Sequence, residues 1–402
     1  MLSSFSCVSR FKALDIFLVF LVMMLSKSLY FESFFNNVIL IPVFIFLFLL
    51  AIFGTRVNIS LQILFFSLIF LFVVLLNSDV RALSYVTLML RLFIAILLVS
   101  FLNFDKFSKI FTDIILVLGT ISLLAFLVIF FGIESPFPDF VATDGRHLRN
   151  FIFFGVSENF IEYKIYRNSG LWWEPGAFQI FIMLGFFFSI INGEITKPKY
   201  FLFTAIILST QSTAGIFLFF FLSLHLVFKK NSHIQTSLLL LLFLFSVIFI
   251  LIPELDYKFN GNGMASANSR INDGLISFEL FLDNILLGYG YGNQIEVAVP
   301  FGEKLLGYSN YHSFSKPTGS DGLTMFISQV GVFGILILLP FLYPSYLKSY
   351  GLLTKIYFSA FLFLLFNTQN FVFFIIFEIL LIYGVKEFLT NYSVPYKPNR
   401  HG

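Results

Sequence analysis

The sequence predicts an all-α, polytopic integral membrane protein, on three observations. Hydrophobic residues make up 58% of the 402 residues and charged residues only 12%. Mean hydropathy is +0.92, which lies outside the range of soluble globular domains. Apolar runs of about 20 residues, the length of a membrane-spanning helix, recur along the whole chain. Two long polar stretches separate these runs into groups.

On that length rule we count about 12 spanning helices. The first run is predicted to be an anchor helix, because no small-residue cleavage site follows it. Within the second polar stretch, Ile276, Leu280 and Leu287 recur at helical spacing and predict a short amphipathic helix. The predicted segments are 1–132 for helices 1 to 5, 133–173 for the first long extracytoplasmic loop, 174–252 for helices 6 to 9, 253–319 for the second long extracytoplasmic loop, 320–390 for helices 10 to 12 and 391–402 for a cytoplasmic tail.

The distribution of Lys and Arg predicts the orientation of these helices. With the N-terminus inside, most Lys and Arg residues of the short loops fall on the cytoplasmic side, and the short outer loops hold few of them, among them Arg81. We therefore expect both termini to be cytoplasmic. The single cysteine, Cys7, lies on the predicted inner side, so no intrachain disulfide braces the outer loops. Basic residues form no cluster with aromatic ones, which excludes nucleic acid as a predicted partner.

Three ionisable residues lie inside apolar runs, where charges are costly and usually paired. Arg91 and Asp113 fall on neighbouring predicted helices, and we hypothesise that they pair in a structural role. Glu378 lies in the last predicted helix. An acidic group there could couple an ion to transport, which keeps a transporter among the alternatives.

The ten residues that begin at Arg167 read Arg-Asn-Ser-Gly-Leu-Trp-Trp-Glu-Pro-Gly. The guanidinium of Arg167 suits bidentate recognition of phosphate or diphosphate. Trp172 and Trp173 suit either stacking on a sugar ring or a place in an interfacial aromatic belt. Glu174 could act in chemistry, or it could simply begin a helix, because an acid followed by proline complements a helix N-terminus.

This segment resembles a motif of the O-antigen polymerases and the related O-antigen ligases of bacterial envelopes. Two further segments match motifs of that family in the same order: residues 210–215, Thr-Gln-Ser-Thr-Ala-Gly, and Ser269-Arg270 followed by the glycine-rich segment 288–293, Gly-Tyr-Gly-Tyr-Gly-Asn. The matches cover about residues 160–335. Two departures stand out. Thr213 stands where the ligase-like pattern has an arginine, which favours the polymerase branch. Asp321 and Gly322 stand where the family has a His-Asn pair, and the histidine nearest to that position is His312.

The resemblance implies a polymerase of O-antigen, capsule or exopolysaccharide in the bacterial inner membrane. Such an enzyme transfers a growing glycan from polyprenyl diphosphate to a sugar hydroxyl of an incoming lipid-linked repeat unit. It must neutralise the diphosphate leaving group and remove a proton from the hydroxyl. The candidates for the diphosphate and glycan are, in descending order among the arginines, Arg167, Arg270, Arg146 and Arg149, together with Trp172, Trp173 and Gly290; the candidates for the base are His312, Asp321 and Glu174.

The glycine-rich segment that contains Gly290 is predicted to be a tight outer turn, whose amides either face substrate or serve only the turn. No metal motif and no cofactor are predicted, because the histidines are scattered and the diphosphate already stores the energy. The expected partners are the lipid-linked oligosaccharide, the lipid bilayer and a chain-length regulator protein. Two alternatives stay open: an O-antigen ligase and a transporter or flippase of lipid-linked sugar.

Overall fold

A computed structural model provides the structure of the protein. It describes residues 13–26, 28, 36–53, 60–76, 82–134, 137–141, 147–151, 154–159, 165–172, 174–229, 264–307, 322–342, 347, 350–369 and 374–393. Over these residues the chain is mostly helical, with 14 α-helices, which confirms the predicted predominance of helix. The last of the four helices predicted within residues 174–252 lies outside the described residues.

The helices follow one another in five groups. The first five are α1 (Ala13–Leu25), α2 (Leu40–Phe53, after a 3₁₀ turn at Asn36–Ile39), α3 (Leu61–Leu75), α4 (Ala82–Phe101) and α5 (Phe104–Phe130). A second group comprises α6 (Pro175–Ile191), α7 (Lys197–Thr210) and α8 (Thr213–Lys229). There follow α9 (Met264–Asp283), a π-helix at Gln294–Ala298 and α10 (Val299–Leu306), then α11 (Gly322–Val330) and α12 (Val332–Leu342), and finally α13 (Leu352–Asn367) and α14 (Ile375–Ser393).

Two helices among the described residues are long and apolar enough to cross a membrane. They are α4 and α5, with 20 and 27 residues and mean hydropathies of 2.3 and 2.6. Shorter apolar helices of 10–17 residues accompany them, including α1, α2, α3, α6 and α13. By length and composition, α4 and α5 support association of the chain with a membrane.

The first long polar stretch contains a four-stranded antiparallel sheet that the sequence did not predict. Its strands are β1 (Phe140–Val141), β2 (His147–Phe151), β3 (Phe154–Asn159) and β4 (Ile165–Gly170), ordered as they occur in the chain. Leu148 and Val156 are both buried, yet the pairing of Arg149 with Val156 places them on opposite faces of the sheet. The strands do not show a simple alternation of apolar and polar residues, so a long loop was predicted where the structure has this sheet.

Helix α6 lies at the centre of the core. Nearly every residue from Pro175 to Ile190 is buried, as expected for a helix that is apolar all round. It packs against α5, α7, α8 and β4, and β4 in turn packs against α5 and α7. The sheet is thereby attached to the N-terminal end of the central helix.

The second polar stretch contains the predicted amphipathic helix, which is α9. Ile276 and Leu280 are buried on it, whereas Leu287 lies beyond its end and is exposed. Helices α11 and α12 are separated at Gly331, whose φ of +71° is the left-handed conformation that favours glycine. A Cβ at this position would lie 2.4 Å from the carbonyl oxygen of Leu286, so the break in the apolar run needs a residue without a side chain.

Candidate functional site

Arg167 lies on β4 and contacts the turn between α7 and α8. Its Nε donates a hydrogen bond to the carbonyl oxygen of Thr210 (3.3 Å), and a terminal guanidinium nitrogen donates to the carbonyl oxygen of Gln211 (3.1 Å). Gln211 has a φ of 47°, the left-handed conformation, at the end of α7. The structure thus brings together two segments singled out from the sequence, the one that begins at Arg167 and the turn that begins at Thr210.

The neighbouring residue, Asn168, fixes the position of this strand. Its side chain is fully buried; its Nδ2 donates to Ser209 Oγ of α7 (2.9 Å), and its Oδ1 accepts from the amide of Gly170 (3.0 Å) and from the hydroxyl of Ser122 on α5. Two helices, α5 and α7, therefore hold β4 at Asn168. Because Arg167 is adjacent on the same strand, its backbone is held with little freedom beside the α7–α8 turn.

Glu174 is the N-cap residue of α6, and Pro175 is the first residue of the helix, as the sequence predicted. The carboxylate, however, makes no capping hydrogen bond to the helix. Its Oε1 lies 3.5 Å from the point that a Cβ on Gly176 would occupy, and the side-chain nitrogen of Gln369 lies 2.5 Å from the same point. The carboxylate therefore faces the side of Gly176 on which Gln369 lies.

A short polar run at the end of α13, Asn367-Thr368-Gln369, reaches the same region. The side-chain oxygen of Asn367 accepts hydrogen bonds from the amide and the hydroxyl of Thr324 on α11 (both 3.3 Å). Thr368 Oγ1 accepts from the side-chain nitrogen of Gln179 on α6 (3.4 Å). The run thereby connects α13 to both α6 and α11.

The sequence analysis missed this polar run. Its signal was present, since residues 367–370 read Asn-Thr-Gln-Asn between two apolar stretches. A hydropathy count treats so short a break as a turn between spanning helices. Only the structure shows that Gln369 lies beside Glu174.

Trp172 is part of the packed core and does not form a surface on which a sugar ring could stack. Its side chain is fully buried, its indole nitrogen donates to the carbonyl oxygen of Ser26 (3.1 Å), and its ring stacks on Phe181 and Phe178 with centroids 4.2 and 5.4 Å away. Neither face is open to a sugar ring, so the expectation that Trp172 stacks on a glycan is wrong. Trp173 lies outside the described residues.

The glycine-rich segment forms a turn that packs on α11. Gly288, Gly290 and Gly292 have φ values of 70°, 104° and 84°. The amide of Gly290 donates to the carbonyl oxygen of Gln329 (3.1 Å), and the amide of Gly292 donates to the side-chain oxygen of the same residue (3.1 Å). These contacts favour the alternative in which the amides hold the turn in place over the one in which they face substrate.

Arg91 is buried, and its ion pair is with Glu378 rather than with Asp113. Arg91 Nε lies 3.0 Å from Glu378 Oε1, and a terminal nitrogen of Arg91 donates to the hydroxyl of Tyr291 (2.9 Å). The hypothesis that Arg91 pairs with Asp113 is wrong, because the side of α4 that carries Arg91 faces α14. Burial raises the pKa of Tyr291 to about 12, against the opposing effect of Arg91, so its hydroxyl is protonated at neutral pH.

The remaining candidates are spread over the chain. Arg270 is exposed on α9, and Arg149 on β2 places its guanidinium carbon 5.6 Å from the ring centroid of Tyr166. The described residues contain no group of three or more His, Cys, Asp or Glu side chains that could hold a metal ion. Arg146, His312 and Asp321 lie outside the residues that the structure describes.

No protein-family model matches the sequence, and comparison with curated proteins and with solved structures finds no significant similarity.

Proposed function

We propose that the protein is a polysaccharide polymerase that acts on lipid-linked repeat units at the outer face of the bacterial inner membrane. The observation that carries this proposal is the contact of Arg167 with the α7–α8 turn, made from a strand that packs against α6. A permanent cation and a carboxylate at the start of a buried helix provide the two functions that glycan transfer from a diphosphate requires. Residues 167–176 and 210–215 also carry the resemblance to the O-antigen polymerases.

In the proposed reaction, a hydroxyl oxygen of the incoming repeat unit attacks the anomeric carbon of the growing glycan. A new glycosidic bond forms as the bond from that carbon to the diphosphate breaks, and the bonding electron pair leaves with the polyprenyl diphosphate. Arg167 stabilises the negative charge of the departing diphosphate. We propose that Glu174, which precedes α6 in the same motif as Arg167, takes the hydroxyl proton. The breaking diphosphate linkage supplies the energy.

The proposed setting is a multi-pass inner-membrane protein with about 12 spanning helices and cytoplasmic termini. The hydrophobic composition, the two long apolar helices and the distribution of basic residues support this arrangement. It places the β1–β4 sheet and the N-terminus of α6 on the extracytoplasmic side, where lipid-linked repeat units are joined.

The test compares surface glycan and lipid-linked intermediates on one gel after deletion of the gene in its native host. Complementation uses wild type, Arg167→Ala, Arg167→Lys and Lys109→Ala. Lys109 is the matched control, because it forms an exposed ion pair with Glu194 (3.5 Å) at the far end of α5. We expect deletion to reduce the ladder to a single-repeat band that wild type and Lys109→Ala restore.

Arg167→Ala should lower the rate of chain extension by on the order of 100-fold, the effect of removing one charged group that stabilises a transition state. Arg167→Lys should restore little, since an ammonium cannot reproduce the two-pronged contact of a guanidinium. Accumulation of long lipid-linked chains that are not transferred would instead identify a ligase. An unchanged ladder after deletion would reject both glycan functions and favour transport.

A further inference from the structure

Gln369 is a buried polar side chain for which neither helix structure nor core packing gives a reason. It follows the last residues of α13 and is 9% exposed. Its two neighbours in the polar run have evident structural partners, since Asn367 bonds to Thr324 and Thr368 bonds to Gln179. Burying an amide costs free energy unless the amide is used, so its position beside Gly176 calls for a function.

Because Gly176 has no side chain, Gln369 and Glu174 can both approach the first turn of α6. A Cβ there would lie 2.5 Å from the amide nitrogen of Gln369, which is closer than real Cβ atoms approach, and 3.5 Å from Oε1 of Glu174. The glycine after Pro175 therefore leaves room for the end of the Gln369 side chain, which a larger residue would displace. A carboxylate oxygen and an amide donor lie close together over the first turn of α6.

Gln179, one turn further along α6, adds a buried amide whose nitrogen reaches Thr368 and whose oxygen lies beside Gly215. It is 1% exposed, and its nitrogen donates to Thr368 Oγ1. Its Oε1 is buried and has no hydrogen-bond partner among the described residues. That oxygen lies 2.5 Å from the point that a Cβ on Gly215 would occupy, so the glycine of the second motif is also shaped by this cluster.

The donor and acceptor content of the cluster identifies its ligand class. Phosphate oxygens accept hydrogen bonds and repel carboxylate and amide oxygens, so a phosphate fits Arg167 and not this cluster. Sugar hydroxyls both donate and accept, and they match a carboxylate, an amide nitrogen and an amide oxygen together. The diphosphate of the donor would thus contact Arg167, and the hydroxyls of the acceptor sugar would contact the cluster.

We infer that Glu174 and Gln369, backed by Gln179, form the subsite that binds the hydroxyls of the acceptor sugar. Gln369 is a specificity-determining residue that orients the acceptor while Glu174 takes the proton of the attacking hydroxyl. This inference rests on the proposed function, because it assigns the acceptor half of that reaction.

The test uses purified protein in nanodiscs and separates acceptor from donor. Lipid-linked repeat units extracted from the deletion strain serve as donor. The free repeat-unit oligosaccharide, released by mild acid and labelled with a fluorophore at its reducing end, serves as acceptor. KM for each substrate and kcat are measured for wild type, Gln369→Met, Gln369→Glu and the control Gln62→Met, which alters an exposed glutamine on α3.

We expect Gln369→Met, which keeps the side-chain volume, to raise the acceptor KM on the order of tenfold, as the loss of one or two hydrogen bonds predicts. The donor KM should stay within about twofold, and Gln62→Met should match wild type. Gln369→Glu should raise the acceptor KM further, because two neighbouring carboxylates repel each other.

An acceptor KM of Gln369→Met equal to that of wild type would overturn the inference while leaving the polymerase proposal intact, and so would an equal rise in both KM values. Failure of wild type to extend the labelled acceptor, together with an unchanged glycan ladder after gene deletion, would reject the proposed function itself. If Gln369→Met is not recovered as a monodisperse protein, Gln369→Asn keeps the amide but withdraws it from Glu174. The same rise in acceptor KM is then expected, and its absence would count against the subsite.

Discussion

Replacement of Trp172 distinguishes a structural indole from one that stacks on a glycan. The side chain is fully buried, stacks on Phe181 and Phe178, and donates to the carbonyl oxygen of Ser26. The same serine accepts a hydrogen bond at its hydroxyl from the amide of Ile376 (3.2 Å). Trp172 therefore connects the end of the sheet to α1 and, through Ser26, to the start of α14.

The two informative substitutions remove different parts of this arrangement. Trp172→Phe keeps a ring in the stack and loses the indole donor, so a buried carbonyl group loses its partner at a cost of about 1–3 kcal/mol. Trp172→Ala loses the ring as well, and truncation of a buried aromatic side chain costs about 3–5 kcal/mol. The predicted order of stability is wild type, then Trp172→Phe, then Trp172→Ala.

The assay pairs thermal unfolding in detergent with glycan-ladder complementation. Trp172→Phe should lower Tm yet restore the ladder, because nothing that touches substrate has changed. A second readout uses Trp173→Phe protein, in which Trp172 is the only tryptophan. Its fluorescence should resist acrylamide quenching equally with and without lipid-linked substrate. Unchanged Tm with lost polymerisation in Trp172→Ala, or quenching that depends on substrate, would refute the structural assignment.

Two further predictions concern residues away from the site. Removing one partner of the buried Arg91–Glu378 pair, with Arg91→Leu or Glu378→Gln, should lower stability by about 3–5 kcal/mol in thermal unfolding, because it leaves a buried charge unpaired. Exchanging the two residues should recover part of that loss, and single variants as stable as wild type would contradict the pairing. Gly331→Ala should prevent accumulation of folded protein, since its Cβ would meet the carbonyl of Leu286 at a φ of +71°. Gly351→Ala, whose Cβ would meet no atom within 4 Å, should accumulate like wild type, and equal levels of the two variants on a membrane immunoblot would disprove the steric argument.

Local features of the sequence predicted a good part of the fold. Long apolar runs predicted α4 and α5, and proline predicted the start of α6 at Pro175. The spacing of apolar residues predicted the buried face of α9 at Ile276 and Leu280. These predictions depend on residues close together in the chain. Hydropathy and the residue preferences at helix starts are local properties, so the sequence alone is enough to predict these elements.

Contacts between distant segments were beyond such reasoning. Arg91 and Asp113 lie on consecutive helices, but sequence alone does not say which sides of two helices face each other, and the partner of Arg91 comes from Glu378 at the far end of the chain. Gln369 was missed for the same reason, because its meaning depends on Glu174 across the fold. Within the candidate site, the sequence singled out Arg167 and Glu174, which lie within one short motif.

The contacts of α14 bear on how the chain is assembled. Its residue Tyr383 donates to the carbonyl oxygen of Leu102 (3.1 Å), Lys386 donates to that of Val99 (3.0 Å), and Glu378 neutralises Arg91. During synthesis, α4 must therefore wait for nearly three hundred further residues before its buried cation and its terminal carbonyls acquire these partners. A chain that stops short of residue 375 would expose that unpaired cation among apolar helices. The final position of α4 therefore depends on α14, which is synthesised much later.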